Sequence, residues 1–109
     1  MKQYTSNDQT AKLIELGFEK PNGIESLVRE EDNPDNAKVV QRIAYSIGEL
    51  IEMLPSVLDD HKQLCIESSG GKWWVAYINL WDKKYFVRKD ELIDALYDVI
   101  VKLKAEGVI

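Results

Sequence analysis

Asp59-Asp60-His61 is the densest run of metal-ligand residue types in the chain. Ligands must converge on one ion, whereas three consecutive side chains splay apart, and no His-Glu-x-x-His or comparable spacing accompanies them. They read as a solvated connector between a helix and a strand, and no metal is expected. The single histidine, His61, and the single cysteine, Cys65, are four positions apart. In an extended segment that puts their Cα atoms roughly 13 Å from each other, too far for a nucleophile–base pair. A lone cysteine can neither close an internal disulfide nor build a cysteine metal site, so Cys65 reads as a small core or edge residue. Gly70-Gly71-Lys72 lacks the earlier glycine and the following hydroxyl residue of a phosphate-binding loop, since Trp73 follows the lysine. The acidic run from Glu30 to Asp35 lacks calcium-loop spacing and contains Pro34. No cofactor is expected. The 19 acidic residues offer many carboxylate pairs, but nothing singles one out, and the chain reads as a non-enzyme.

The residues with most to say about function are aromatic. The stretch from Trp73 to Phe86 holds all three tryptophans of the chain, with two tyrosines and a phenylalanine. Read as a strand, it places Trp73, Val75, Tyr77, Asn79 and Trp81 on one face and Trp74, Ala76, Ile78 and Leu80 on the other. Both faces are apolar, so both need cover. Tryptophan and tyrosine bury large areas at low entropy cost and keep a polar handle, which suits them to interfaces. Trp73, Tyr77, Trp81 and, on the following strand, Tyr85 are therefore the candidate contact residues for a protein partner, which includes a second copy of the chain in a symmetric homodimer. Lys72, Lys83, Lys84 and Arg88 form a local basic rim beside them, with Lys89 adjacent. The alternative reading is a binder of a small ligand or of single-stranded nucleic acid, with bases stacked on the same aromatics. A third arrangement covers both faces internally, two helices on one side and one on the other.

Composition sets the frame for this choice. A chain of 109 residues is the size of one domain, expected to span 1–109. It is 45% hydrophobic and 30% charged, as in ordinary globular proteins. A net charge of −5 argues against nucleic acid, whose binding depends on neutralising phosphates, and is modest for an acidic mimic of it. No apolar run approaches the length of a membrane span, and the opening residues lack the apolar stretch of a signal peptide. A cytoplasmic protein with no membrane association is expected.

The elements that must position these residues follow from caps, turns and periodicity. Thr5 and Ser6 are candidate N-caps, and Ser6 with Gln9 makes a capping box ahead of a helix bearing Ala11, Leu13, Ile14 and Leu16. Ile24–Val28 and Val39–Tyr45 read as two strands around an acidic loop, with a helix from Ala37 to Arg42 as the rival. Ser46 and Glu49 cap a second helix, which Pro55 ends. A three-stranded meander follows: Leu64–Ser68, a Gly70-Gly71 turn, the aromatic strand, a turn around Asp82-Lys83, then Tyr85–Arg88. Asp90 is the expected N-cap of a last helix whose apolar stripe is Leu92, Ile93, Leu96, Tyr97, Ile100 and Leu103. The expected fold is α+β, three helices packed on an antiparallel β-meander, in the order α-β-β-α-β-β-β-α.

Three strings carry a resemblance: Gln9-Thr10-Ala11-Lys12-Leu13-Ile14-Glu15-Leu16-Gly17-Phe18, the run from Ala44 to Pro55, and Glu91-Leu92-Ile93-Asp94-Ala95-Leu96-Tyr97. Together they resemble a group of small uncharacterised bacterial proteins found in phage and mobile-element gene neighbourhoods, with Ile24 to Arg42 as the variable part. The resemblance implies a cytoplasmic accessory protein and brings no catalytic residues with it.

Overall fold

The computed structural model describes residues 1–29, 38–80 and 82–109, and for 27–29 and 38–40 the backbone only. Its elements run α1 (Asn7–Glu15), β1 (Ile24–Arg29), β2 (Lys38–Ile43), α2 (Ile47–Met53), β3 (Gln63–Ser69), β4 (Lys72–Ile78), β5 (Lys83–Lys89) and α3 (Leu92–Ala105). The fold is the expected α+β order, and strand β2 occupies the segment where a helix was the rival. The acidic loop, including Glu31, Asp32, Pro34 and Asp35, lies outside the described residues.

Both capping boxes form. Ser6 accepts from the Gln9 amide at 3.1 Å while Gln9 accepts from the Ser6 amide at 2.9 Å. Thr5, the other cap candidate, is buried instead: its hydroxyl lies 2.7 Å from that of Thr10 and accepts from the Tyr45 amide at 3.0 Å. Glu49 does more than cap α2. Its carboxylate accepts from the amides of Ser46 at 3.2 Å, Gly23 at 2.9 Å and Asn22 at 2.9 Å, so one side chain joins the helix start to the base of β1. Burial alone pushes the Glu49 carboxyl up, but these amide donors outweigh it and hold its pKa below the usual carboxylate range. The last helix departs from expectation. Its N-cap is Glu91, without a side-chain cap bond, because Asp90 turns to Lys72 at 2.6 Å.

The strands form two antiparallel sheets, a β1–β2 ribbon and a β3–β4–β5 meander. Among the described residues α3 packs on β4 and β5 and against α2. Leu13 of α1, Leu50 of α2 and Ile93, Leu96, Val99, Ile100 and Leu103 of α3 join Val75, Tyr77 and Val87 in one core. All three helices thus serve a single face of the meander. The alternative arrangement, two helices on one side and one on the other, does not occur among the described residues. The β1–β2 ribbon packs closely on no other described helix or strand. Among the described residues it is tied at its base, where the Ala44 amide donates to Gly23 at 2.9 Å and Arg42 bonds Glu25 at 2.7 Å, the Thr5 carbonyl at 2.7 Å and Asn7 at 3.1 Å. The resulting body measures 59 × 34 × 17 Å, with a Cα radius of gyration of 16.4 Å.

Candidate functional site

Two local devices set the faces of the meander. The first is the Gly70-Gly71 turn, in which both residues take positive φ (59° and 75°), as a two-residue hairpin loop requires. It pins β3 to β4 so that Glu67 lies opposite Trp74, Cys65 opposite Ala76 and Gln63 opposite Ile78. The second is a bulge in β5. Val87 pairs with Val75 but Lys84 pairs with Tyr77, so β5 spends three steps where β4 spends two. Tyr85 absorbs the extra residue at φ 58°. The bulge reverses the alternation: Phe86 and Arg88 share the outer face with Lys83 rather than with Lys84.

The inner face takes Trp73, Val75 and Tyr77 into the core. Tyr77 is wholly buried, its ring edge-on to Tyr85 at 6.3 Å and its hydroxyl donating to the Pro55 carbonyl at 2.7 Å. Burial pushes that hydroxyl up to about 12. Trp73 and Tyr85 are half-buried against the same core. Of the four aromatics expected at a contact surface, Trp73, Tyr77 and Tyr85 therefore line the inside of the sheet, and Trp81 lies outside the described residues.

On the outer face, among the described residues, no helix covers Trp74, Ala76, Ile78 and Phe86. Trp74 and Phe86 sit on neighbouring strands with ring centroids 5.8 Å apart and planes tilted by 39°. Phe86 is 42% exposed, and Leu80, in the turn after β4, is 93% exposed. Lys83 Nζ stands 4.5 Å over the Phe86 ring. Trp74, Ile78, Asn79, Asp82, Lys83 and Phe86 line an open depression of about 660 Å³. Trp74 and Phe86 escaped the candidate set because alternation identifies two faces without saying which one the helices take.

The basic rim is dispersed. Lys72 pairs with Asp90 at 2.6 Å and Lys89 with Asp98 at 3.2 Å. The bulge sends Lys84 to the inner side, 5.1 Å over the Tyr85 ring. Lys83 and Arg88 are the rim cations left on the outer face among the described residues, and Arg88 bonds the Ser69 carbonyl at 3.5 Å.

A second concavity of about 420 Å³ opens where the chain between α2 and β3 meets β5 and the end of α3, lined by Leu58, Asp59, Asp60, Lys84, Tyr85 and Val108 among others. Asp60 and Tyr85 of its lining are engaged by residues beside it. The Lys62 ammonium beside Asp60, at 2.6 Å, holds that carboxyl below its usual range, and Asp60 in turn raises Lys62. A bond to Glu106 raises the Tyr85 hydroxyl. Among the described residues every carboxyl with a resolved shift moves downward, towards the ionised form. Burial pushes the Cys65 thiol up, away from the thiolate. Among the described residues no three His, Cys, Asp or Glu side chains are grouped to hold a metal ion, and no helix is long and apolar enough to cross a membrane. No family model, no curated protein and no solved structure matches the chain.

Proposed function

We propose that this chain is a non-enzymatic protein-interaction module of the cytoplasm, and that its contact surface is the helix-free face of β3–β4–β5. The observation that carries this reading is the Trp74–Phe86 pair with Ile78 beside it, held on a face that no described helix covers. Trp74 and Ile78 are half-buried and Phe86 is exposed. Aromatic side chains left only partly covered by their own fold are the raw material of a binding hot spot, because covering them releases water without further folding cost. The ionised carboxylates and the protonated thiol support a binding rather than a catalytic role, since general acid catalysis needs a raised carboxyl and nucleophilic attack a thiolate. The dispersal of the basic rim, with Lys83 already lying on the Phe86 ring, weighs against stacked nucleic-acid bases.

The test is site-specific photocrosslinking in cells expressing the full chain. A benzophenone amino acid at position 86 should give adducts of discrete mass that Trp74→Ala abolishes. The same probe at position 52, exposed on α2, should give none. Failure of position 86 to crosslink, or the same adducts from both positions, overturns the reading.

A further inference from the structure

Resting on that reading, we infer that the partner of the outer sheet face is a second copy of this chain, packed face to face about a two-fold axis parallel to β4. The argument comes from the order of side chains across the sheet. Glu67, Trp74 and Arg88 form one cross-strand row: acid on β3, aromatic on β4, base on β5. Next comes Cys65 opposite Ala76, with Phe86 in the bulged stretch beside them, then the row Gln63, Ile78 and Lys83. From Trp74 to Ile78 apolar groups hold the middle strand, whose first residue Lys72 is paired with Asp90. Glu67 falls on the edge strand opposite the one that carries Arg88 and Lys83.

Two stacked sheets lie about 10 Å apart. An axis along β4 places β3 of each copy under β5 of the other. Glu67 then meets the second copy's Arg88, twice by symmetry; Trp74 meets its own image; and Gln63 meets Lys83. An axis across the strands sets β3 on β3 and β5 on β5. It keeps Glu67 away from Arg88 and, centred on Ala76, stacks Arg88 over the second copy's Lys83. Only the first arrangement makes the face complementary to itself in charge, which is what an isologous interface requires. Neither Glu67 nor Arg88 has an ion-pair partner within the described residues of its own chain. Arg88 reaches the Ser69 carbonyl at 3.5 Å and Glu67 accepts from the Cys65 thiol at 3.9 Å, neutral contacts that both charges exchange for the pair across the axis. From strand spacing and rise, the face measures roughly 14 by 23 Å. That is below the size of a standard specific interface, so the association is a weak, transient one.

The test is sedimentation equilibrium of the full chain from about 5 to 500 µM, in which mass is read independently of shape. Wild type should move from 12.5 kDa towards twice that value as concentration rises. Glu67→Arg faces two pairs of guanidinium groups and Arg88→Glu two pairs of carboxylates, so each variant alone should dimerise at least about tenfold more weakly. Mixed in equal amounts, the two variants should form a heterodimer with both pairs attractive, and the double variant E67R/R88E should dimerise again. A wild type that stays at monomer mass at 500 µM overturns the inference. So does a mixture that fails to associate, or single variants as tight as wild type. Crosslinked adducts from position 86 at a mass other than about 25 kDa, twice the chain mass, overturn self-association and leave the interaction reading standing; absence of adducts overturns both.

Discussion

Truncating one aromatic on each face of β4 tests the central assignment directly. Tyr77 is wholly buried, meets the Tyr85 ring edge-on at 6.3 Å and bonds the Pro55 carbonyl at 2.7 Å. Tyr77→Ala removes a complete ring from a packed core and leaves a cavity, a change that costs about 3–5 kcal/mol. Against a total stability of about 5–15 kcal/mol for a domain, that is enough to leave it barely folded. Trp74 is the larger side chain, yet its truncation removes only the half-covered contact with Phe86 and some strand neighbours. An aromatic pair of this kind contributes about 1 kcal/mol. Trp74→Ala should therefore cost no more than about 2 kcal/mol, each kcal/mol lowering the melting temperature by about 4–8 °C. The assay is urea denaturation followed by far-ultraviolet circular dichroism at about 1 µM protein, where a dimer as weak as the face allows is dissociated and adds nothing to stability. The denaturant slope should match wild type for Trp74→Ala, because the surface exposed on unfolding barely changes. A loss from Trp74→Ala equal to or greater than that from Tyr77→Ala would refute the assignment of faces.

Other residues give independent checks. Tyr77→Phe should cost about 1 kcal/mol at neutral pH through the lost bond to Pro55, measured by the same urea titration. The folded state raises the Tyr77 hydroxyl to about 12 from its ordinary value of 10.0. It thus binds this proton more tightly than the unfolded chain does. The resulting stability is complete below pH 10 and is lost as pH rises towards 12, so Tyr77→Phe should flatten that alkaline limb. Glu49 carries the opposite sign: its depressed carboxyl contributes stability above the ordinary carboxylate range that is lost on acidification through its folded value. Glu49→Ala should cost about 2 kcal/mol at pH 7, and the difference from wild type should shrink as denaturation is followed down towards pH 3. Gly23→Ala brings a methyl group within 2.3 Å of the Ala44 carbonyl oxygen at the base of the ribbon. It should destabilise by about 1–3 kcal/mol, read as a lower melting temperature.

How much of this was legible in the sequence differs from element to element for physical reasons. Capping is local chemistry: Ser6 with Gln9 and Ser46 with Glu49 name their helices because donor and acceptor lie within one turn. The Gly70-Gly71 turn is equally local and carries the register of β3 on β4 with it. The pairing of Trp73 with Tyr77 and of Trp74 with Ile78 on opposite faces follows from strand period alone. The choice between those faces does not. It depends on α3 crossing β4 and β5 on one side and on the other helices joining it there, which is a tertiary outcome of nearly matched apolar faces. The bulge was also silent, because Tyr85 holds positive φ without the glycine that would have announced it. It moved Lys83 outward and Lys84 inward, against simple alternation. Asp90 has the chemistry of a cap but found a cation across the sheet in Lys72, a competition that no run of adjacent residues records.

The β1–β2 ribbon has a consequence for the size the molecule shows in solution. A compact chain of 109 residues has a radius of gyration near 13 Å, whereas this one reaches 16.4 Å. The same scaling assigns 16.4 Å to a compact chain of roughly 200 residues, close to the length of two copies. In small-angle scattering a single molecule therefore shows a radius of gyration close to that of a compact pair, and the forward intensity, which follows mass, is what separates the two.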